Sequence, residues 1–194
     1  LNEQLQKHFE GTSRGGTGPK SQAKIDLIYD LFKGLTVDAN IYRGKEPDQS
    51  LANRIIQFAK KGDLIIRDLG YFKLGSLMKI KETGAYFLSR FQPNVKIFLK
   101  KDDLYPVNLG KYIDKHFPNA VVIDLGEVFL GDEKVSSRMV IYRQPEEVVN
   151  KKLRDANKRS KDTGRKISDG KKLCLKYAIF VTSASQELIP AKII

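Results

Sequence analysis

The stretch DLIIRDLGYF, Asp63 to Phe72, decides the fold class. Its apolar run from Leu64 to Ile66 is bounded by charges, which predicts a short strand buried on both faces of an α/β sheet. Asp68 follows at the carboxyl end of that strand, where ligands and catalytic groups gather in open α/β sheets. The local pattern leaves two interpretations of Asp68 open, a functional carboxylate or a cap for the helix that begins near Lys73.

Composition narrows the class of protein. The chain has 194 residues, of which 41% are hydrophobic and 30% charged, as is typical of a soluble globular domain with or without an insertion. No stretch is long and apolar enough to predict a membrane span, and no signal peptide opens the sequence. Cys174 is the single cysteine and cannot form an internal disulfide, which favours a reducing, cytoplasmic setting.

Positive charge is concentrated in one segment. The formal net charge of +12 argues for a polyanionic partner, and residues 143–176 alone hold twelve basic and five acidic side chains. This segment predicts two helices around a polar turn, the first starting after Pro145. Its cations support two interpretations, a solvated surface helix or a helix that tracks DNA phosphates without reading bases. The cations that we expect to contact DNA are Lys151, Lys152, Arg154, Lys158 and Arg159.

Hydrophobic periodicity places the other elements. Alternation predicts a hairpin in AKIDLIYDL and TVDANIYRG, with Asp26 and Asp30 on a solvated face. Residues 50–61 carry a helical stripe, a second helix runs through Leu77 and Ile80 to Gly84, and a strand spans residues 85–90. Short alternating runs between residues 93 and 143 then predict an antiparallel meander.

Several of these segments resemble the catalytic core of DDE transposases of the insertion-sequence-four type, in the order that the family has them. The closer matches are Lys24 to Gly34, Leu35 to Gly44, Asp63 to Phe72 and GAYFLSRFQPN, Gly84 to Asn94. Looser matches follow in MVIYRQPEEV, Met139 to Val148, and YAIFVTSA, Tyr177 to Ala184. The resemblance covers nearly the whole chain.

This resemblance implies an α/β fold, a ribonuclease-H-like mixed sheet with a β-rich and basic helical insertion. Residues 1–92 would form a core that lacks its first strand, 93–176 the insertion, and 177–194 a strand returning toward the core. The implied partner is double-stranded DNA, bound by a homodimer associated with the bacterial nucleoid.

The resemblance also assigns roles to single residues. Two Mg²⁺ or Mn²⁺ ions bound by carboxylates would drive phosphoryl transfer, with Asp68 as the second carboxylate of a triad. Tyr71 and Phe72 are expected to pack beneath Asp68. Arg90 would approach DNA or form a structural ion pair, and Tyr177 would stack on a displaced base or sit in the core.

The sequence departs from the family pattern at both ends. Nothing before Lys24 resembles the strand that carries the family's first aspartate, and no Tyr-Arg-Glu-Lys pattern follows Thr182. We therefore expect a fragment that is inert by itself, from a parent that is an enzyme. The acids that could take the places of the two missing catalytic carboxylates are Asp26, Asp30, Asp38, Asp124 and Glu127. The rival functions are a structure-specific nuclease of the same fold and a basic DNA-binding module that is indifferent to Mg²⁺.

Overall fold

The computed structural model describes residues 3–9, 11 and 21–194, without the side chains of residues 5 and 6. It divides the chain into two units, Leu1–Phe58 and Ala59–Ile194. In the first unit, helix α1 spans Glu3–His8, strand β1 Ala23–Asp30 and strand β2 Leu35–Arg43. β1 and β2 form the predicted antiparallel hairpin. The turn between them ends at Gly34, whose φ of 67° lies in the left-handed region that glycine adopts without strain.

In this hairpin the polar face is buried and the apolar face is exposed, which is the reverse of the usual arrangement. Arg54 pairs with both Asp26 and Asp38, so the polar face carries a buried ion-pair network and the expected solvation of Asp26 is wrong. The other face is apolar and exposed, with Ile25 at 69% and Ile41 at 63% exposure. The hydrophobic alternation was therefore predicted correctly, but it does not mark the buried face.

Residues 50–61 do not form the predicted α-helix. Two 3₁₀ turns, Asp48–Leu51 and Arg54–Gln57, stand there instead. Leu51, Ala52 and Ile55 are still buried. The tight turns therefore bury the apolar side chains of the stripe. They also place Arg54 against the carboxylates of the hairpin.

The second unit is built on one mixed sheet. Its elements, in chain order, are β3 Leu64–Arg67, α2 Leu74–Glu82, β4 Tyr86–Arg90, β5 Ile97–Phe98, α3 Leu109–His116, β6 Val122–Leu130, β7 Val135–Arg143, α4 Glu146–Thr163, α5 Asp169–Lys176 and β8 Tyr177–Thr182. The six strands lie in the order β3-β4-β8-β7-β6-β5. Only β3 and β4 pair in parallel, and β8 lies between that pair and the three strands β7, β6 and β5. Within the described residues, no helix is both long and apolar enough to cross a bilayer.

This topology differs from the domain division that the sequence predicted. β5, β6 and β7 form the expected antiparallel meander, but β7 pairs with β8, so residues 93–176 contribute strands to the same sheet as β3 and β4. The hairpin β1-β2 forms a sheet of its own. The mixed α/β class is thus confirmed, while the observed boundary falls after Phe58 rather than at residue 92.

Strand β3 is an edge strand, so the expectation that it is buried on both faces is wrong. Leu64 is 40% exposed and Ile66 57% exposed. The core lies instead around the central strands and the helices packed on them, with Leu77 from α2, Phe87 from β4 and Val181 from β8 at 1% exposure or less. β3 joins the sheet around this core through its pairing with β4.

Helix α3 was not predicted, because its sequence was interpreted as part of the alternating meander. Asn108 caps it, with its side chain accepting a hydrogen bond of 3.1 Å from the Lys111 N–H. Asn before a helix is a strong start signal. Ile113 then places the apolar side of α3 in the core.

Candidate functional site

Asp68 stands at the carboxyl end of β3 with its carboxylate exposed. The residue precedes the 3₁₀ turn Leu69–Tyr71, and its side chain makes no capping hydrogen bond there. Helix α2 begins after Lys73, so Asp68 does not cap that helix either. No ion-pair partner for Asp68 occurs in the part of the chain that the structure describes. The interpretation of Asp68 as a helix cap is therefore wrong.

Aromatic side chains pack around the turn that carries Asp68. Phe72 is 2% exposed and packs edge-to-face on Phe91, with 6.4 Å between ring centroids. The Arg67 guanidinium lies 4.3 Å from the centroid of the Tyr71 ring. Phe72 therefore anchors the end of the turn in the core, while the packing of both aromatic side chains beneath Asp68 itself stays a prediction.

Arg90 is the neighbour of Asp68 across the sheet. β3 and β4 pair in parallel with Arg67 opposite Ser89, so the next residues, Asp68 and Arg90, emerge side by side. Adjacent strands lie about 4.8 Å apart. Arg90 is exposed, and no acidic side chain of the described residues lies within ion-pair distance of it. Of the two predicted roles of Arg90, the structural ion pair is therefore not observed. We call this end of the sheet the Asp68 edge.

Tyr177 begins β8 at the same edge but points into the protein. Its side chain is 2% exposed, and the centroid of its ring lies 5.3 Å from the Arg143 guanidinium carbon. Its hydroxyl donates a 3.5 Å hydrogen bond to the Asp114 carboxylate. Burial raises the pKa of its hydroxyl, an effect that the positive charge of Arg143 opposes. In this conformation its ring is not available to a displaced base. The structure corresponds to the core alternative.

A basic helical hairpin, α4 with α5, adjoins the Asp68 edge. The first helix ends at Gly164, whose φ of 66° forms the left-handed cap, and Ser168 caps the second by accepting from Lys171 N–H. The Gln144 N–H donates to the Lys176 carbonyl at 2.9 Å, which joins the two ends of the hairpin. Both predicted basic helices are thus observed.

Helix α4 turns its cations to two different sides. Lys151, Arg154 and Lys158 are exposed at helical spacing and form what we call the outer stripe, about 10 Å long. Arg159 is exposed at the flank of this stripe. Lys152 instead lies on the half-buried side, where its Nζ donates to the Gln144 side-chain oxygen. The sequence did not distinguish Lys152 from the others.

The other acids proposed for the site are engaged elsewhere. Asp124 accepts from the Arg138 guanidinium at 2.6 Å and 3.0 Å, and Glu127 accepts from the Ser136 hydroxyl at 2.7 Å. Asp30 accepts from backbone N–H groups of its own turn. Among residues 3–9, 11 and 21–194, no three His, Cys, Asp or Glu side chains lie together as metal ligands would. A single carboxylate does not fit a two-metal centre, so these residues do not form one by themselves.

The fold and site together define a mixed α/β protein with an unbonded carboxylate at a strand end, flanked by cations. The particular family follows from comparison with known proteins. Residues 3–194 match the family model described as "Transposase DDE domain", and the chain belongs to that family. No solved structure matches the chain.

Named relatives agree with this assignment. The transposase for insertion sequence element IS231F of Bacillus thuringiensis subsp. israelensis is 27% identical over 191 residues, covering 91% of this chain and 40% of that protein. The transposase for IS231B of Bacillus thuringiensis subsp. berliner is 26% identical over 203 residues, covering 96% and 42%. The transposase for IS1151 of Clostridium perfringens is 25% identical over 167 residues, covering 79% and 35%. The chain thus spans about 40% of the length of the curated relatives it matches.

Proposed function

We propose that this chain is the part of a DNA transposase that positions DNA and supplies one catalytic carboxylate, Asp68, for strand cleavage and joining at transposon ends. The observation that carries the proposal is the exposed Asp68 carboxylate, which has neither a capping bond nor an ion pair among the described residues. The Asp68 carboxylate therefore has no structural bond to the described residues that would account for its place at the carboxyl end of β3, where catalytic groups gather in α/β sheets. The family membership supplies the class of reaction.

DNA is the partner that the charge distribution favours. Lys151, Arg154 and Lys158 lie along the outer stripe of α4 without an acidic partner among the described side chains. Lys and Arg in a row release counterions from the DNA backbone and give affinity without sequence discrimination. We therefore propose that α4 contacts phosphates, while Arg90 contacts DNA beside Asp68.

Divalent metal is the cofactor that the family implies, and we propose Mg²⁺ or Mn²⁺. Asp68 would provide one oxygen ligand, since hard cations prefer carboxylates. The described residues hold no further ligand cluster, so the remaining ligands would come from other segments of a whole transposase. On this proposal residues 1–194 alone bind DNA but do not cut it. A ribonuclease-H-like arrangement of the core, a homodimer at paired ends and a cytoplasmic location belong to the same proposal.

The test is Mn²⁺-dependent nicking of a transposon-end duplex by the whole transposase that contains this segment. Asp68→Ala should abolish nicking while DNA binding persists. Asp102→Ala is the matched control, because Asp102 is an exposed aspartate on a loop after β5. Nicking that survives Asp68→Ala would refute the catalytic role of Asp68. Cleavage of branched DNA in preference to transposon ends would indicate a structure-specific nuclease, and binding without any metal-dependent cleavage would indicate a DNA-binding module.

A further inference from the structure

We propose that helix α4 reads base pairs in the major groove of DNA through the side-chain amides of Asn150 and Asn157. The inference rests on the proposed function, in which α4 contacts DNA phosphates, and deepens it by naming two residues that give sequence preference. The ligand chemistry is the major-groove edge of adenine, whose N7 accepts a hydrogen bond and whose N6 amino group donates one. The amide of asparagine complements both groups at once.

The two asparagines lie on one face of α4, on either side of Arg154. Asn150 is four residues before Arg154 and Asn157 is three residues after it, which are the spacings that place side chains on the same face of a helix. Asn150 and Asn157 are two turns apart, or about 10.5 Å along the helix axis. Three base-pair steps of B-DNA rise by about 10 Å, so the spacing of the two amides matches base pairs three steps apart.

Both amides are available to a ligand. Asn150 and Asn157 are exposed, and neither side chain makes a hydrogen bond with any residue that the structure describes. The helix itself is accessible, since Ala156 is the only buried residue among the 18 described residues of α4. A helix with its side chains is about 10–12 Å wide, and the major groove of B-DNA is about 12 Å wide. The dimensions of α4 therefore suit entry into that groove.

The charges on α4 suit the same orientation. Lys151 and Lys158 directly follow the two asparagines, so they lie about 100° further round the helix. From that flank a lysine meets the phosphates beside the groove, while the neighbouring amide faces the bases. The acids Asp155 and Asp162 lie at least about 120° round the helix from either asparagine. No carboxylate of these two acids thus shares the face that would meet the bases.

Helix α4 starts at the same edge of the sheet as Asp68. β7 runs parallel to β4, because both are antiparallel to β8 between them, and β4 is parallel to β3. Arg90 and Val140 are level with each other, since both lie opposite Phe180. β7 continues to Arg143, three residues or about 10 Å beyond that level, and α4 follows. Asp68 and the helix proposed to read bases thus start from one edge of the sheet.

Selection from random DNA tests the two amides in the full chain. The probe is a pool of 20-base-pair duplexes with randomised central positions, bound at about 0.2 M salt so that contacts to phosphates alone are weak. Sequencing of the bound fraction should show adenine preferred about tenfold over other bases at two positions three steps apart. Asn150→Ala should remove the preference at one of these positions, and Asn157→Ala should remove it at the other.

Two controls separate base reading from other effects. Alanine is a better helix former than asparagine, so loss of α4 does not explain a lost preference. Lys151→Gln with Lys158→Gln should weaken binding to every sequence and leave the preference for adenine in place. A selected duplex with 7-deazaadenine at the two positions lacks the N7 acceptor. It should bind the wild-type chain more weakly than the unmodified duplex, and the double variant Asn150→Ala with Asn157→Ala equally well.

Each outcome decides the proposal. Adenine preferences that follow the two asparagines and need the N7 acceptor support base reading by α4. A wild-type chain without sequence preference, or preferences that both asparagine variants retain, overturns base reading and leaves the proposed contacts to phosphates standing. A chain that binds no duplex overturns base reading together with the phosphate contacts of α4, whereas the role of Asp68 is decided by nicking in the whole transposase.

Discussion

Asp124 in β6 and Asp68 after β3 are aspartates of the same sheet in opposite situations. Asp124 receives hydrogen bonds from Arg138 and from the Gly126 N–H, and Arg138 also donates to the carbonyls of Ser185 and Ile189. Asp68 has no comparable partner among the described residues and faces solvent. The difference shows that the carboxylate of Asp124 is used to hold the fold together, whereas that of Asp68 is left accessible to a ligand.

Breaking the Asp124 network should produce the largest effect on stability. Arg138 is 9% exposed, so Arg138→Leu removes the charged donor of the Asp124 carboxylate and the side-chain donor of two carbonyls. Removing one partner of a buried pair costs about 3 kcal/mol. Urea unfolding should show this loss. The double variant Asp124→Leu with Arg138→Leu is the control, and it should lose less free energy of unfolding because no charge remains unpaired. An Arg138→Leu variant whose free energy of unfolding lies within about 0.5 kcal/mol of the wild-type value would contradict the comparison.

Tyr177 offers a smaller test at alkaline pH. Its 3.5 Å bond to Asp114 is long, so Tyr177→Phe should cost about 1 kcal/mol or less at neutral pH. Burial raises the pKa of Tyr177 above its ordinary 10.0, so its stabilising contribution is complete below pH 10 and declines as pH rises further. The free energy of unfolding should therefore fall less steeply above pH 10 in Tyr177→Phe. Parallel curves would contradict this account.

Asp30 is intermediate between the two aspartates of the comparison, since its carboxylate is bonded only within its own turn. Backbone and side-chain hydrogen bonds from Lys33 lower its pKa below the ordinary 3.8. The turn is thus favoured above that pH and weakens as pH falls through the lowered pKa. The NMR titration midpoint of Asp30 should lie below 3.8. Removing the side-chain contact by Lys33→Met should move the midpoint upward, and an unchanged midpoint would count against that contact.

Asp68 should give the smallest stability effect of all. Because its carboxylate has no described partner, Asp68→Asn should change the free energy of unfolding by no more than about 0.5 kcal/mol. The same variant should abolish nicking in a whole transposase. A destabilisation above about 2 kcal/mol would show that Asp68, like Asp124, contributes to the stability of the fold, and it would contradict the distinction between the two aspartates.

The sequence predicted the hairpin and α4, whose signals are local, but it missed α3 and assigned an α-helix to residues 50–61 where two 3₁₀ turns stand. Alternation around Gly34 specified the hairpin, and the acids after Pro145 marked the start of α4. The edge position of β3 could not be predicted, since a run such as Leu64 to Ile66 does not reveal how many partner strands it has. The burial of Asp26 likewise depends on Arg54, a distant partner.

The candidate site was predictable only in part for the same reason. A carboxylate directly after a strand pointed to Asp68, and its neighbour Arg90 followed from the next strand of the family pattern. The burial of Tyr177 depends instead on Asp114 and Arg143, distant partners that no local pattern reveals.

The central place of β8 has a consequence for biosynthesis. β8 is the last strand in the chain, yet it is the strand that joins β3 and β4 to β7, β6 and β5. While the ribosome is still translating residues before Tyr177, β4 and β7 both lack the strand with which each of them pairs in the finished sheet. Strand edges left unpaired are open to wrong pairing and to chaperones. Assembly of the sheet therefore waits until Thr182 has emerged from the exit tunnel.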